Sequence, residues 1–273
     1  MVAAAKLHRH SERRRAGRFL AEGPNLVGAA AQSGLIDDVF ATAGAAARHG
    51  DLLAGLRVRL VTDAAAKVLS DTVTPSGLIA VCRTPRIELA DVLADVLADG
   101  PGLLAVAVDL SEPGNAGTLI RIAHAMGADA VVFAGHCVDP YNGKCLRSSA
   151  GSIFALPVLT EPDTVGVLTA LRAASCQILA TTTDGDLVLD DLVDDGAPVL
   201  GRPTAWLFGP ESHGLTADVA ALADHRVTIP MPGGTESLNV AAAAAICLYQ
   251  SARVRRADTA DDAADDADAT PGT

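Results

Sequence analysis

Aromatic side chains make up only 3% of this 273-residue chain, while hydrophobic residues reach 49%, so its core must be built from Ala, Val and Leu. No uncharged run approaches the roughly 20 residues of a membrane span. The basic N-terminus is not followed by an apolar segment of the signal-peptide kind, and a cytoplasmic protein is expected. The five cysteines, Cys82, Cys137, Cys145, Cys176 and Cys247, form no CxxC pair and no metal-type spacing with His. They are expected as small buried hydrophobes in a reducing compartment, with no metal site. A dinucleotide fingerprint of the G-x-G-x-x-G type is missing as well.

What is present is unevenly charged. The net charge of −12 would by itself argue against a polyanionic partner. Half of that excess lies in Asp258, Asp261, Asp262, Asp265, Asp266 and Asp268, in a stretch with no Lys or Arg. The first eighteen residues hold Lys6, Arg9, Arg13, Arg14, Arg15 and Arg18 against Glu12 alone. That basic end is where a phosphate backbone would be met. The acidic end, 257–273, lacks periodicity and aromatics and is expected to be a disordered tail.

Between these ends the pattern alternates. A basic helix over 6–18 leads to a short strand, Phe19 to Glu22, and Gly23-Pro24 opens a helix through Ala31. Strands at 39–42, 57–61 and 78–81 follow, with a helix over 64–69 capped by Asp63. These make a small α/β module, 1–95. The segment from Thr84-Pro85 to Gly100-Pro101-Gly102 is the boundary, and 101–256 form a second domain. Leu103 to Val108 is an apolar run typical of a strand covered on both faces. After a loop over 109–117, a helix from Thr118 to Met126 presents Leu119, Ile122, Ala123 and Met126 on one face. Strands at 130–133, 178–182, 205–208 and 226–229 complete a parallel sheet with ligand sites beyond the carboxyl ends of its strands.

Three loops carry polar groups at that edge. The first, Leu110 to Arg121, combines a Pro-Gly turn, the amide of Asn115, a close approach at Gly117 and Arg121 on the following helix. The second is Phe208-Gly209-Pro210-Glu211-Ser212-His213-Gly214-Leu215. The third, Ile229-Pro230-Met231-Pro232-Gly233-Gly234-Thr235-Glu236-Ser237-Leu238-Asn239-Val240, enters an Ala-rich helix with no charged residue before Gln250. Ser237 and Asn239 sit where a plain helix cap and a cluster of binding donors are both possible.

In this order the loops resemble the signature motifs of the SpoU (TrmH-like) ribose methyltransferases of the SPOUT superfamily. N-x-G-x-x-x-R is Asn115, Gly117 and Arg121. F-G-x-E-x-x-G-L is Phe208, Gly209, Glu211, Gly214 and Leu215. I-P-M-x-G followed by S-L-N-V runs from Ile229 to Val240. Asp139-Pro140-Tyr141 and the run from Arg147 to Ser152 resemble the family's central segment. The N-terminal part resembles, less specifically, the L30e-like substrate-binding domain of members such as those conferring thiostrepton resistance. Ala241 departs from the Ser found after S-L-N-V in many relatives.

The resemblance implies an α/β parallel sheet whose C-terminal segment threads a trefoil knot, which topology rules alone would not suggest. It implies a homodimer, S-adenosylmethionine (AdoMet) as cofactor and methylation of a ribose 2′-hydroxyl in structured RNA. Ribosomal RNA is favoured over tRNA, and the alternative is a non-catalytic ribosome-assembly factor. Thr182, Leu207, Gly209, Ile229, Met231 and Leu238 would hold the cofactor. Arg9, Arg13, Arg14, Arg15, Arg18 and Arg147 would meet RNA. Asn115, Glu211, Ser237 and Asn239 would orient Arg121, the ribose and the loops. Family proposals make the arginine a proton acceptor, but a guanidinium with a pKa above about 12 suits a phosphate clamp better.

Overall fold

In a computed structural model of the chain, residues 1–98, 102–194, 199–210 and 212–268 are described, except for the side chains of 97–98, 193–194 and 257–268. The chain divides into two units. The first comprises Met1–Arg86 with Glu112–Arg121 and Val138–Leu156; the second comprises Ile87–Ser111, Ile122–Cys137 and the chain from Pro157.

The first unit opens with helix α1 (Val2–Ala5), a 3₁₀ turn (Lys6–His8) and helix α2 (His10–Ala16). The expected single basic helix is broken because Arg9 adopts an extended conformation, φ −91° and ψ 132°. Gly17, at φ 60°, ends α2 in the left-handed region that glycine enters at little cost. Strand β1 (Arg18–Glu22), helix α3 (Pro24–Gln32), strand β2 (Ile36–Thr42) and helices α4 (Ala43–Arg48) and α5 (Gly50–Leu53) follow. Strand β3 (Val58–Val61), helix α6 (Asp63–Leu69) and strand β4 (Leu78–Arg83) complete the module. The sheet runs β1-β4-β2-β3, with β4 antiparallel to both neighbours and β2 parallel to β3. Leu7, Phe40, Leu69 and Ile79 are among its buried core. Asp63 is not the cap of α6: the extended Thr62 accepts from the Ala65 N–H at 3.2 Å, and Asp63 is the first helical residue.

The second unit begins with helix α7 (Leu89–Ala98) and strand β5 (Leu103–Val108). Helix α8 (Pro113–Ala125), strand β6 (Ala130–Ala134), helix α9 (Gly143–Ser149), strand β7 (Val158–Glu161), helix α10 (Thr164–Ala173) and strand β8 (Gln177–Thr181) continue the chain. Strand β9 (Leu187–Val188), helix α11 (Asp191–Asp194), strand β10 (Thr204–Phe208), helix α12 (Ala217–Ala220), strand β11 (His225–Thr228) and helix α13 (Val240–Asp268) finish it. Residues 113–121 of α8 and all of α9 pack within the first unit. The seven strands lie in the order β7-β6-β5-β10-β8-β11-β9, and every pair is parallel. β5, β6 and β10 are buried at every position, the pattern of strands covered on both faces.

Three further details differ from the sequence reading. Strands β7 and β9 were not anticipated, and β9 has only two residues. Helix α8 starts at Pro113, whose fixed φ and missing N–H suit a first helical turn. Asn115 and Gly117 are therefore helical, and the buried face is Ala116, Leu119, Ile120 and Ala123 rather than one containing Ile122 and Met126. Helix α13 runs unbroken to Asp268, where a tail without structure was expected from Ala257; residues 269–273 lie outside the described residues. Among the described residues no helix is long and apolar enough to cross a membrane.

Candidate functional site

Strands β8, β10 and β11 are neighbours in the sheet and end together, because parallel strands bring their carboxyl ends to one edge. Side chains and backbone cross-link those ends. The Thr181 hydroxyl donates to the Leu207 carbonyl at 2.8 Å, and the Thr182 N–H donates to the Val227 carbonyl at 3.0 Å. Beyond the edge lies a cavity of about 730 Å³, within the usual range of small-molecule sites.

The loop after β10 folds back over this edge. Its Gly214 N–H donates to the Pro210 carbonyl at 2.8 Å, and Gly214 turns the chain at φ 65°. Gly209 is required by contact: a Cβ there would lie 2.9 Å from the Gly214 carbonyl oxygen and 2.5 Å from its carbonyl carbon. After β11 the Pro/Gly segment turns at Gly234, φ 73°, whose N–H donates to the Met231 carbonyl at 3.2 Å. The Asn239 side chain accepts from the Ala241 N–H at 2.9 Å, so Asn239 does cap α13.

Of the residues expected to hold a cofactor, Thr182, Gly209, Ile229, Met231 and Leu238 line the cavity. Leu207 is corrected: it is wholly buried inside β10 and contributes its carbonyl to Thr181 rather than a surface to the cavity. Ser237 lines the cavity and Asn239 does not; Glu211 lies outside the described residues. The hydroxyl oxygen of Thr182 is buried with no hydrogen-bond partner among the described residues, which is costly unless a ligand supplies one. An apolar wall from Ile229, Met231 and Leu238, a glycine edge and an unsatisfied hydroxyl together suit a ligand carrying a flat polar heterocycle.

Sequence reasoning missed part of the rim. Arg226 borders the cavity and pairs with Asp186 at 2.5 Å and Asp184 at 3.7 Å. The hydrogen bond from Arg226 holds the Asp186 carboxyl below the usual range. Ser212 and His213, joined Oγ to Nδ1 at 2.8 Å, also line it. The polar run Thr181-Thr182-Thr183-Asp184-Gly185-Asp186, directly after a buried strand, was the available signal.

The motif around Asn115 belongs to the first unit. Gly117 of α8 lies against α9, where a Cβ would be 2.6 Å from Ser148 Cβ and 2.9 Å from the Ser149 nitrogen. Glu112 accepts from Lys144 at 2.5 Å, a bond that holds its carboxyl below the usual range. Asn115 is half-buried. Arg121 is exposed and makes no hydrogen bond or ion pair among the described residues.

The expected RNA-contacting arginines differ sharply from one another. Arg9 and Arg14 are exposed. Arg15 pairs with Glu12 at 2.6 Å and Arg18 with Asp37 at 2.8 Å, both on the surface. Arg147 pairs with Asp71. Arg13 is corrected: it is 8% exposed, pairs with Asp139 at 2.6 Å and donates to the Leu7 and His8 carbonyls. Its donors are committed to internal acceptors, which leaves it a fold-forming residue rather than a phosphate contact.

All five cysteines are free. Burial pushes the Cys82, Cys145 and Cys176 thiols up to about 12 and Cys137 to about 11. Protonated thiols of this kind are poor nucleophiles. Among the described residues no group of three or more His, Cys, Asp or Glu could hold a metal ion.

Comparison with known proteins places this geometry. The model of the SpoU rRNA methylase family matches residues 102–249, and that of the MRM3-like substrate-binding domain matches residues 3–80. The 23S rRNA (guanosine(2553)-2′-O)-methyltransferase RlmP of Bacillus subtilis is 32% identical over 89% of this chain and 92% of its own. The 23S rRNA (uridine(2479)-2′-O)-methyltransferase of Streptomyces viridochromogenes is 33% identical over 92% of this chain and 88% of its own. Among solved structures, the SpoU methyltransferase AviRb from Streptomyces viridochromogenes, in complex with AdoMet, superposes with a TM-score of 0.79. It is 28% identical and the match covers 93% of this chain and 97% of that one.

Proposed function

Because the chain belongs to the SpoU rRNA methylase family, we propose that it transfers a methyl group from AdoMet to a ribose 2′-hydroxyl of ribosomal RNA. The observation that carries this is the cavity at the strand ends. Gly209, Ile229, Met231 and Leu238, named from the motifs, line it together with Thr182, whose buried hydroxyl has no hydrogen-bond partner among the described residues. Two relatives that match most of the chain are 23S rRNA enzymes, which favours rRNA over tRNA as substrate.

Bound AdoMet supplies an electrophilic methyl group on a sulfonium. The chain's own task is then alignment and charge control. Ile229, Met231 and Leu238 would hold the cofactor by apolar contact, the Gly209 loop would offer backbone groups, and the Thr182 hydroxyl would offer a hydrogen bond. Arg121, exposed and uncommitted, holds the phosphate beside the target ribose and stabilises the developing alkoxide, with the proton leaving to phosphate or water. Asn115, Glu211, Ser237 and Asn239 orient these groups. Arg9 and Arg14, with Arg15, Arg18 and Arg147 released from weak surface pairs, add phosphate contacts.

The active form is a cytoplasmic homodimer with the family's trefoil knot. Ala242, Ile246 and Tyr249 are exposed at helical spacing on α13, and Tyr249 is 50% exposed, an apolar stripe suited to a second copy. The module at 1–95 serves as the RNA-recognition domain of the catalytic domain at 101–256. Calorimetry with AdoMet on the full chain tests the reading: saturable binding, displaced by S-adenosylhomocysteine, is expected, and an absence of binding overturns it.

A further inference from the structure

A second cavity, of about 400 Å³, lies wholly within the first unit. None of the loops that line the first cavity contributes to it. Its apolar lining includes Leu20, Leu26 and Leu69 from the N-terminal module and Leu146 from α9. Tyr141 adds an aromatic wall, its ring 4.7 Å from that of Phe19.

The polar groups are arranged with more order than a packing defect would give. Glu22 is held rigidly: Ser70 Oγ lies 2.8 Å from both of its carboxylate oxygens, and the Thr72 hydroxyl and the Ser76 N–H donate to Oε1 at 3.3 and 3.1 Å. A carboxylate can accept about four hydrogen bonds, so Glu22 keeps acceptor capacity on the other oxygen. Tyr141 is 9% exposed, and its hydroxyl makes no hydrogen bond among the described residues. Burial raises its pKa, so it remains a donor at neutral pH. Lys144 and Arg147 border the same cavity, and Arg147 is held by Asp71, which stands where an anion would bind. That pair is more than a third exposed on both sides, so exchanging the carboxylate for a phosphate costs little.

We propose that this cavity is a second nucleotide site, taking a guanine nucleotide of the RNA with its base against Leu26, Leu69 and Tyr141 and its phosphate at Lys144 and Arg147. Guanine is the base whose pairing edge sets an amino group beside a ring N–H, two adjacent donors that can converge on the remaining Glu22 oxygen, Oε2. Its carbonyl oxygen accepts from the Tyr141 hydroxyl. A base held here is unstacked, which selects a loop or bulge rather than a duplex. The inference rests on the RNA-substrate reading above.

The test uses the full chain with excess S-adenosylhomocysteine filling the first cavity, titrated with guanosine 5′-monophosphate and followed by backbone amide NMR. Shifts should appear at 20–26, 69–71 and 141–147. Uridine 5′-monophosphate and unphosphorylated guanosine should each bind about threefold or more weakly, as should the guanine nucleotide to Lys144→Ala. Glu22→Gln should erase the preference for guanine; if that variant does not fold, the comparison between nucleotide and nucleoside on the wild type and Lys144→Ala decides. No shifts, shifts confined to the first cavity, or equal binding of all three probes overturns the proposal. The titration reads binding alone, so nucleotide binding leaves this site standing even where a separate transfer assay on the same chain sinks the activity reading.

Discussion

The indole N–H of Trp206 donates to the hydroxyl of Ser251 at 2.9 Å, and both residues are wholly buried. This bond ties β10, which delivers the Gly209 loop, to α13, whose start carries Asn239. Two walls of the candidate site are thus registered from beneath by a buried polar contact. Ser251→Ala leaves the indole donor unsatisfied and should cost about 1–3 kcal/mol of stability. Chemical unfolding of the two proteins measures it, and AdoMet affinity should weaken with it.

Gly209→Ala should remove AdoMet binding while sparing most of the fold. A methyl group at 209 would press on the Gly214 carbonyl, so the loop must move outward from the cavity. Calorimetry should show at least a tenfold loss of affinity. Gly233→Ala, where a Cβ meets nothing within 4 Å, serves as the control and should bind normally.

How much of this was legible in the sequence follows from what each residue type must do. The alternation of buried runs and polar turns located β5, β6, β8 and β10, which are written as near-continuous apolar runs, and β11 was located by its β-branched residues before a Pro/Gly turn. Strand β9, two residues long, gives no period to detect, and β7 was overlooked although it is as long as β11. The motif loops located the cavity, yet Leu207 was misplaced because a strand residue beside a site and one facing it are identical in sequence. Arg13 was misread for a related reason. In a run of arginines nothing local marks the one that turns inward, and its partner Asp139 lies 126 residues away.

Alkaline pH should destabilise the fold through its thiols. The folded values of Cys82, Cys145 and Cys176 lie near 12, against 9.0 for an unperturbed thiol. Below pH 9 both states are protonated and this stabilisation is fully present. As pH rises from 9 toward 12 the unfolded chain alone loses protons, and each thiol weakens the fold by about 1.4 kcal/mol per pH unit. The melting temperature should therefore drop steeply above pH 9, and Cys176→Ala should flatten that drop relative to wild type.

Arg121→Ala should leave AdoMet binding near wild type, since the second unit alone lines that cavity. Methyl transfer should fall by about two to three powers of ten, the loss expected for a positioned charge. Arg121→Lys separates the roles. Lysine keeps the charge but not the planar fork, so a phosphate clamp predicts poor recovery at every pH. A proton acceptor predicts recovery as pH approaches the lysine pKa of about 10.

The central claim is that this chain methylates a ribose hydroxyl of ribosomal RNA. Incubating the full chain with methyl-labelled AdoMet and unmodified 23S rRNA, then hydrolysing the product in alkali, tests it most directly. A 2′-O-methyl group blocks attack on the neighbouring phosphate, so the label should survive in an alkali-resistant dinucleotide at a defined site. Label recovered in mononucleotides, or taken up by tRNA and not by rRNA, would contradict the account.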